Sequence, residues 1–489
     1  ASFLDKPYAP SPYTPVSRLF WNEIYLDPEH SMPLGTTCEV DTESAAKARR
    51  LTSFDEVPYR TVMGLKRRVL EEQTRICLSQ PGPAEQFERY IADKPEVADY
   101  AAFRAAVERL GPSWRDWPEE PRLGRLSPGD FDIDTSNYYA FAQWRLDAQM
   151  TGLSRRSYAA DVRLYLDLPV GVHSDGYDAW RYRDLFVPGV SVGAPPDLLA
   201  LDGQNWGFEP LNPVQQRASG YEYMRAYLAH HLSVASMLRV DHAIGLHRMF
   251  WIPRGASGRD GVFMRQHAEE LYAILSLESH RHQAVLVGEN LGLVPPEVDE
   301  GLREHGIAGM YVQRYSLTGD SSQPVESPPE DAVVCFGTHD TPPFAAFWTD
   351  EDLRERERIG LDGPIPRDTE IETRHGEKEA LVEYLRRRGM LEARPTTAQV
   401  YRASTELLAE SDAKWLLLNL EDTWGETRSQ NVPGTLSEQH PNWSFRAAHS
   451  IEQFDDLRET TETVMAVRSL RPKGQKEQPR AIQEGGASS

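Results

Sequence analysis

Three short acidic motifs constrain this chain more than any other feature: RVDH at 239–242, VGEN at 287–290 and FGTHD at 336–340. Each closes a run of β-forming residues, SMLRVD (236–241), VLVGE (285–289) and VVCFGTHD (333–340). Stretches with helical pattern separate them. A carboxylate at the end of each of three strands, with helices between the strands, is how a parallel barrel brings acids to one rim. Carboxylates gathered at one mouth are what glycosidic-bond chemistry requires.

Strand signals fall near residues 164, 238, 286, 311, 335 and 417. A closed barrel needs eight. The fold class read from the sequence is therefore α/β, a (β/α)8 TIM-type barrel that is incomplete, with the first two strands absent and a helical subdomain inserted. Residues 1–40 form an N-terminal cleft segment, Pro-rich and turn-rich, in which WNEIYLD (21–27) reads as a short strand. Residues 41–150, rich in Ala, Glu, Arg and Leu at helical spacing, form the inserted subdomain. Residues 151–471 hold strands 3 to 8 of the catalytic barrel, with a further helical insertion at 350–412, and the tail 472–489 reads as disordered. Helices are expected at 214–235, 266–282 and 453–470, and one begins at the prolines of PPEVDEGLREHG. The charge run 350–360 reads as a solvated helix face.

Composition narrows the partners. The 489 residues carry 53 basic and 75 acidic side chains, a formal charge of −22. Such a surface repels phosphate backbones, which disfavours nucleic acid and anionic membranes but is indifferent to a neutral sugar. Cys38, Cys77 and Cys335 are odd in number, far apart and without a CxxC, which argues against a disulfide framework or zinc site and fits a cytoplasmic protein. No apolar run reaches the ~18 residues of a membrane span, and the N-terminus lacks the regions of a signal peptide. Nothing in the sequence fixes an oligomeric state.

The same residues carry a family resemblance. SPYTPVSRLFWNEIYLD (11–27), VGAPPDLLALDGQNWGFEPLNP (192–213), LRVDHAIGLHRMFWIP (238–253), VLVGENLGLVPPEV (285–298), VVCFGTHDTPPFAAFW (333–348) and NVPGT…PNW (431–443) occur in the order found in the amylomaltases. The chain resembles these 4-α-glucanotransferases of glycoside hydrolase family 77, in the α-amylase clan. The resemblance implies transfer of α-1,4-glucan segments between maltooligosaccharides by a retaining double displacement, with no cofactor and no metal. It implies Asp241 as nucleophile, Glu289 as general acid/base and Asp340 as the carboxylate that stabilises the transition state. Arg239, His242 and His339 match residues that orient these groups or bond the sugar in the −1 subsite. Tyr13, Asp197, Gln204 and Trp206 match residues of the sugar-binding cleft. Two other readings are a hydrolase of the same clan and a non-catalytic glucan-binding fragment. The family has Asp where this chain has Asn290, and it places two barrel strands before the SPY motif, so the chain resembles an N-terminally truncated member.

The chemistry explains the pattern. Retaining transfer needs two carboxyls about 5–5.5 Å apart, one to attack and one to protonate the leaving oxygen. Arg239 and Asp241 stand two apart on a strand, so they share a face, and the guanidinium favours the carboxylate needed for attack. Glu289 must begin protonated. Asn290 removes a negative charge beside it, which lowers its pKa relative to an Asp neighbour. Trp206, Tyr13 and Tyr8 are candidates for stacking platforms in acceptor subsites.

Overall fold

A computed structural model describes residues 3–4, 8–33, 42–196, 202–361 and 365–471. Asp197, Cys38 and the tail 472–489 lie outside the described residues. The chain divides into two compact units. One comprises Ala1–Met310, Asp362–Pro364 and Gln430–Arg446; the other comprises Tyr311–Leu361, Ile365–Ser429 and Ala447–Ser489. Among the described residues no helix is long and apolar enough to cross a membrane.

The first unit begins with helices, among them Tyr59–Leu78, Pro81–Asp93, Pro95–Leu110 and Ile133–Ala159. The last is begun by Asp132, whose carboxylate accepts the Thr135 N–H at 2.8 Å. It buries Tyr138, Tyr139, Phe141 and Leu146. Ala101, Ala105 and Ala106 give Pro95–Leu110 a small-residue side, and both helices contribute to the same buried cluster. WNEIYLD is not a strand. Asn22 Oδ1 accepts the Ile24 N–H at 3.0 Å and starts a 3-10 turn over Glu23–Tyr25. That turn drives Glu23 inward to pair with the buried Arg104 at 3.1 Å.

Seven strands follow: β1 (Tyr165–Leu168), β2 (Val190–Ala194), β3 (Gln204–Asn205), β4 (Met237–Val240), β5 (Arg248–Pro253), β6 (Val262–Arg265) and β7 (Val285–Gly288). They make two sheets, ordered β1-β4-β7 and β3-β2-β5-β6. The first is parallel, pairing Asp167 with Arg239 and Arg239 with Val287. The second is antiparallel, and none of its strands falls among the strand signals of the sequence. The expected helix 214–235 is two helices, Pro213–Ala218 and Glu222–Leu232, because Gly220 and Tyr221 adopt φ of +62° and +57° between them. Leu238, Leu286, Leu228 and Leu275 join strands and helices in one apolar core.

A third sheet, ordered β10-β9-β8, is built from β8 (Gly309–Val312), β9 (Ala332–Cys335) and β10 (Trp415–Leu416), the last two strands lying in the second unit. β9 and β10 are parallel. Helices Glu351–Arg358, Arg367–Arg387 and Thr397–Ala409 occupy the region expected to be helical. The charge run is not simply a solvated face. Asp352 is 4% exposed and receives Arg374 at 2.7 Å, and Asp350 receives Lys378 and His375. Alternate charges along the run turn inward because Arg374 and Lys378 on the neighbouring helix are themselves buried and need anions.

Candidate active site

Parallel pairing in register sets the geometry. Partners across a parallel ladder point to one face, so Asp167 and Arg239 emerge side by side, and Asp241 follows two residues on. Arg239 Nη1 donates to both oxygens of Asp167, at 2.7 and 2.8 Å, and lies 2.8 Å from Asp241 Oδ1. The Arg239 side chain is only 7% exposed. Burial opposes its charge, but the Asp241 and Asp167 carboxylates more than reverse this and raise its pKa. A permanently charged guanidinium therefore bridges two carboxylates. The Tyr13 hydroxyl donates to Asp167 Oδ2 at 2.6 Å. Burial, then Asp167 and Asp241, raise the Tyr13 pKa, so it remains a phenol and a donor.

Glu289 follows β7 directly and is tied to the end of β4 through main chain. Its N–H donates to Val240 O at 3.0 Å, and its carbonyl accepts from Ala243 at 2.9 Å. Between them His242 takes a left-handed backbone, φ +50°. That turn aims the His242 N–H at Glu289 Oε2, 2.8 Å away. Burial pushes the His242 ring to a pKa of about 4, so it is neutral. A cavity of about 100 Å3 lies here, lined by Asp241, His242, Pro169 and Phe208 among others.

Trp206 meets the His242 ring edge-on, with centroids 5.0 Å apart, and its indole N–H donates to Gln204 Oε1 at 3.1 Å. Gly203 and Gly207 flank this segment at φ +72° and +78°, conformations that other residues rarely adopt. Phe208 packs against Trp206 and lies over Gly171, where a Cβ would sit 2.2 Å from the ring. Gly171→Ala should therefore cost about 2 kcal/mol of stability and displace the Trp206 segment. Thermal unfolding with tryptophan emission measures both effects, and an unchanged midpoint would contradict the packing. Trp443, left-handed at φ +61°, brings its ring to 5.5 Å from Tyr13.

Asp340 and His339 belong to the second unit, in the loop after β9. His339 Nε2 is 3.3 Å from Asp340 Oδ2, and the Asp340 N–H donates to Thr338 Oγ1 at 3.2 Å. Asn419 Nδ2 donates to Gly337 O at 3.1 Å. The buried Asp422 carboxylate accepts the Phe344 N–H at 2.6 Å, just beyond this loop. Burial raises the Asp422 pKa to about 7. A carboxyl raised in the fold favours its protonated form there. The fold thus gains stability as pH falls from about 7 towards 4 and carries the full penalty above 7. Asp422→Asn keeps the acceptor without the charge. It should stabilise the protein by about 2 kcal/mol at pH 8 and by little at pH 5. Urea unfolding at both pH values checks this, and equal effects would refute it.

The site thus brings Tyr13, Arg239, Asp241, His242, Gln204, Trp206 and Glu289 into the first unit, through one chain of contacts. Asp167 was not singled out from the sequence. It lies inside β1, in VRLYLDLP, opposite Arg239 in the ladder, a placement that only the register reveals.

Parallel strands carrying acids at their C-terminal ends, with a cation locked between two of them, define a class of carboxylate-lined α/β proteins. Within it, a family model described as 4-alpha-glucanotransferase matches residues 3–451, and the chain belongs to that family, glycoside hydrolase family 77. It is 32% identical over 464 residues to a 4-alpha-glucanotransferase of Mycobacterium tuberculosis, covering 90% of this chain and 62% of the relative. A Haemophilus influenzae 4-alpha-glucanotransferase is 29% identical, with 90% and 68% covered. The chain thus spans a little under two thirds of the mycobacterial relative's length. Among solved structures, amylomaltase from Corynebacterium glutamicum superposes with a TM-score of 0.82 at 27% identity, covering 95% of this chain and 68% of that one. Amylomaltase from Streptococcus agalactiae in complex with acarbose has a TM-score of 0.74 at 19% identity, covering 96% and 89%, a likeness of fold.

Proposed function

We propose that the chain is a 4-α-glucanotransferase that moves α-1,4-glucan segments between maltooligosaccharides by a retaining double displacement. In the first step an Asp241 oxygen attacks the anomeric carbon, the glycosidic C–O bond breaks, and the leaving oxygen takes the proton of Glu289. In the second, Glu289 removes the proton of an acceptor hydroxyl, that oxygen attacks the same carbon, and Asp241 is released. Arg239 keeps the nucleophile ionised. Tyr13 and Asp167 hold Arg239 from the other side. Gln204 and Trp206 contact the sugar, Trp206 as an apolar platform beside His242. To Asp340, His339 and Asp197 we assign the roles the family motifs give them, transition-state stabilisation for Asp340 and sugar contacts for the others.

The observation that carries this reading is the His242 N–H on Glu289 together with Arg239 on Asp241, in a chain that belongs to this family. The two carboxyls follow neighbouring parallel strands, which supports the pairing of nucleophile and acid that the retaining mechanism uses. The parallel sheet β1-β4-β7 is of the kind from which a (β/α)8 barrel is built, which supports that reading of the fold. We place the activity in the cytoplasm because the three cysteines are scattered and have no pairing pattern.

Incubation with maltotriose tests the function. Longer maltodextrins and glucose, separated by thin-layer chromatography, are the expected products. Glucose and maltose without longer chains would mean hydrolysis. Sugar binding with no product would mean a glucan-binding fragment.

A further inference from the structure

Asn290 follows Glu289 directly, and its amide is engaged at both atoms. Oδ1 accepts the N–H of Met310 in β8 at 2.8 Å. Nδ2 donates to Asp299 Oδ1 at 2.8 Å, in the first turn of the helix Pro296–Glu304. The amide lies over Gly309, where a Cβ would stand 3.1 Å from Nδ2 and 3.3 Å from Oδ1. The site is therefore shaped for a group that accepts on one side and donates on the other. A carboxylate at 290 could still accept from Met310. It could not donate to Asp299, and it would set two anions at hydrogen-bond distance.

We propose that Asn290 is a positioning residue for Glu289. Its amide ties the segment carrying the acid to β8 and to the helix Pro296–Glu304, without a second negative charge beside the acid. The kinetic part of this inference rests on the transferase reading; the structural part does not. Arg239 and Glu289 act on one another electrostatically, Arg239 pairs with Asp241, and Asp299 accepts the Asn290 amide. His242 contributes an uncharged N–H and a neutral ring. Asn290→Asp therefore adds an anion at the residue next to the acid.

Exchanging the two residues separates geometry from charge. In Asn290→Asp, the contact to Asp299 becomes repulsive. In the double variant Asn290→Asp/Asp299→Asn, the new Asn donates where the old one did, and both hydrogen bonds return with the charge now beside Glu289. Maltotriose disproportionation should fall about tenfold or more in kcat for Asn290→Asp, with KM within about twofold. The melting temperature should fall by about 2 °C. The double variant should regain most of the rate and the melting temperature. Its alkaline pH limb should lie about half a pH unit higher than wild type, because an adjacent anion keeps Glu289 protonated to higher pH. Gly309→Ala, which crowds the amide without touching charge, should lower the rate and leave the limb in place.

A purely structural role would restore the double variant with an unmoved limb, and that result overturns the proposal. So does Asn290→Asp with the wild-type rate. If the wild-type protein makes no transfer products, the transferase reading fails on its own, and the tether is judged by melting alone. An Asn290→Asp protein that melts with wild type, or a double variant that does not recover, then refutes it.

Discussion

Asp241→Asn should abolish glucan transfer while maltooligosaccharide binding persists. The substitution preserves shape, and Arg239 retains both oxygens of Asp167, so the strand ends should stay as they are. What is lost is the anion that attacks and then leaves the anomeric carbon. A carboxamide does neither, and loss of a nucleophile of this kind costs on the order of 10^5 in turnover. Product formation from maltotriose, followed for long enough to detect 0.1% of the wild-type rate (roughly the scale at which such losses are separated from partial ones), is the measurement. Calorimetry on the same sample reports binding. An undiminished rate would falsify Asp241 as nucleophile.

Arg239→Met should be nearly as severe, and it should also weaken the fold. Arg239 is buried, and it is the cation between Asp167 and Asp241. Methionine fills the volume but leaves two carboxylates facing each other across the space where a positive charge stood. Removing one partner of a buried ion pair costs about 3–5 kcal/mol. Asp167 is about a third exposed, so water screens part of this, and about 2 kcal/mol is the expectation here. Activity should fall by about 10^3, because Asp241 no longer has the charge that favours its ionised form. Arg239→Lys retains the charge but reaches one carboxylate at a time, and it should recover stability better than rate. Chemical unfolding and maltotriose turnover, measured on both variants, separate the two effects. Wild-type turnover in Arg239→Met would remove Arg239 from the mechanism.

Much of the scaffold was legible because its signals are local. Residues 165–168, 237–240, 285–288, 309–312 and 332–335 are strands at expected positions, each a short apolar run ended by a turn or an acid. Asp241, Glu289 and Asp340 all lie where such strands end. The failures have physical causes. WNEIYLD has the composition of a strand, but the Asn22 cap and the remote Arg104 decide its shape, and neither can be seen in a window of seven residues. β2 and β5 pair across a long gap of sequence, so the partner of each is invisible in a local window. The charge run at 350–360 looked solvated because its counter-charges, Arg374 and Lys378, come from another helix. Asp167 belongs to no motif, and its tie to Arg239 follows from strand register, which the sequence does not show. Trp443 sat inside a quoted motif, yet its proximity to Tyr13 depends on a fold that brings residues 13 and 443 together.

The left-handed turn at His242 has a consequence for how this protein can vary. The donor that steadies Glu289 is a main-chain amide, so no change of side chain short of proline can delete it. Only a change of backbone handedness can swing it away. Gly, Asn and Asp tolerate that conformation, whereas Val and Ile resist it. A codon library at this position should consequently sort, for placement of the acid, by tolerance of positive φ and hardly at all by size or polarity.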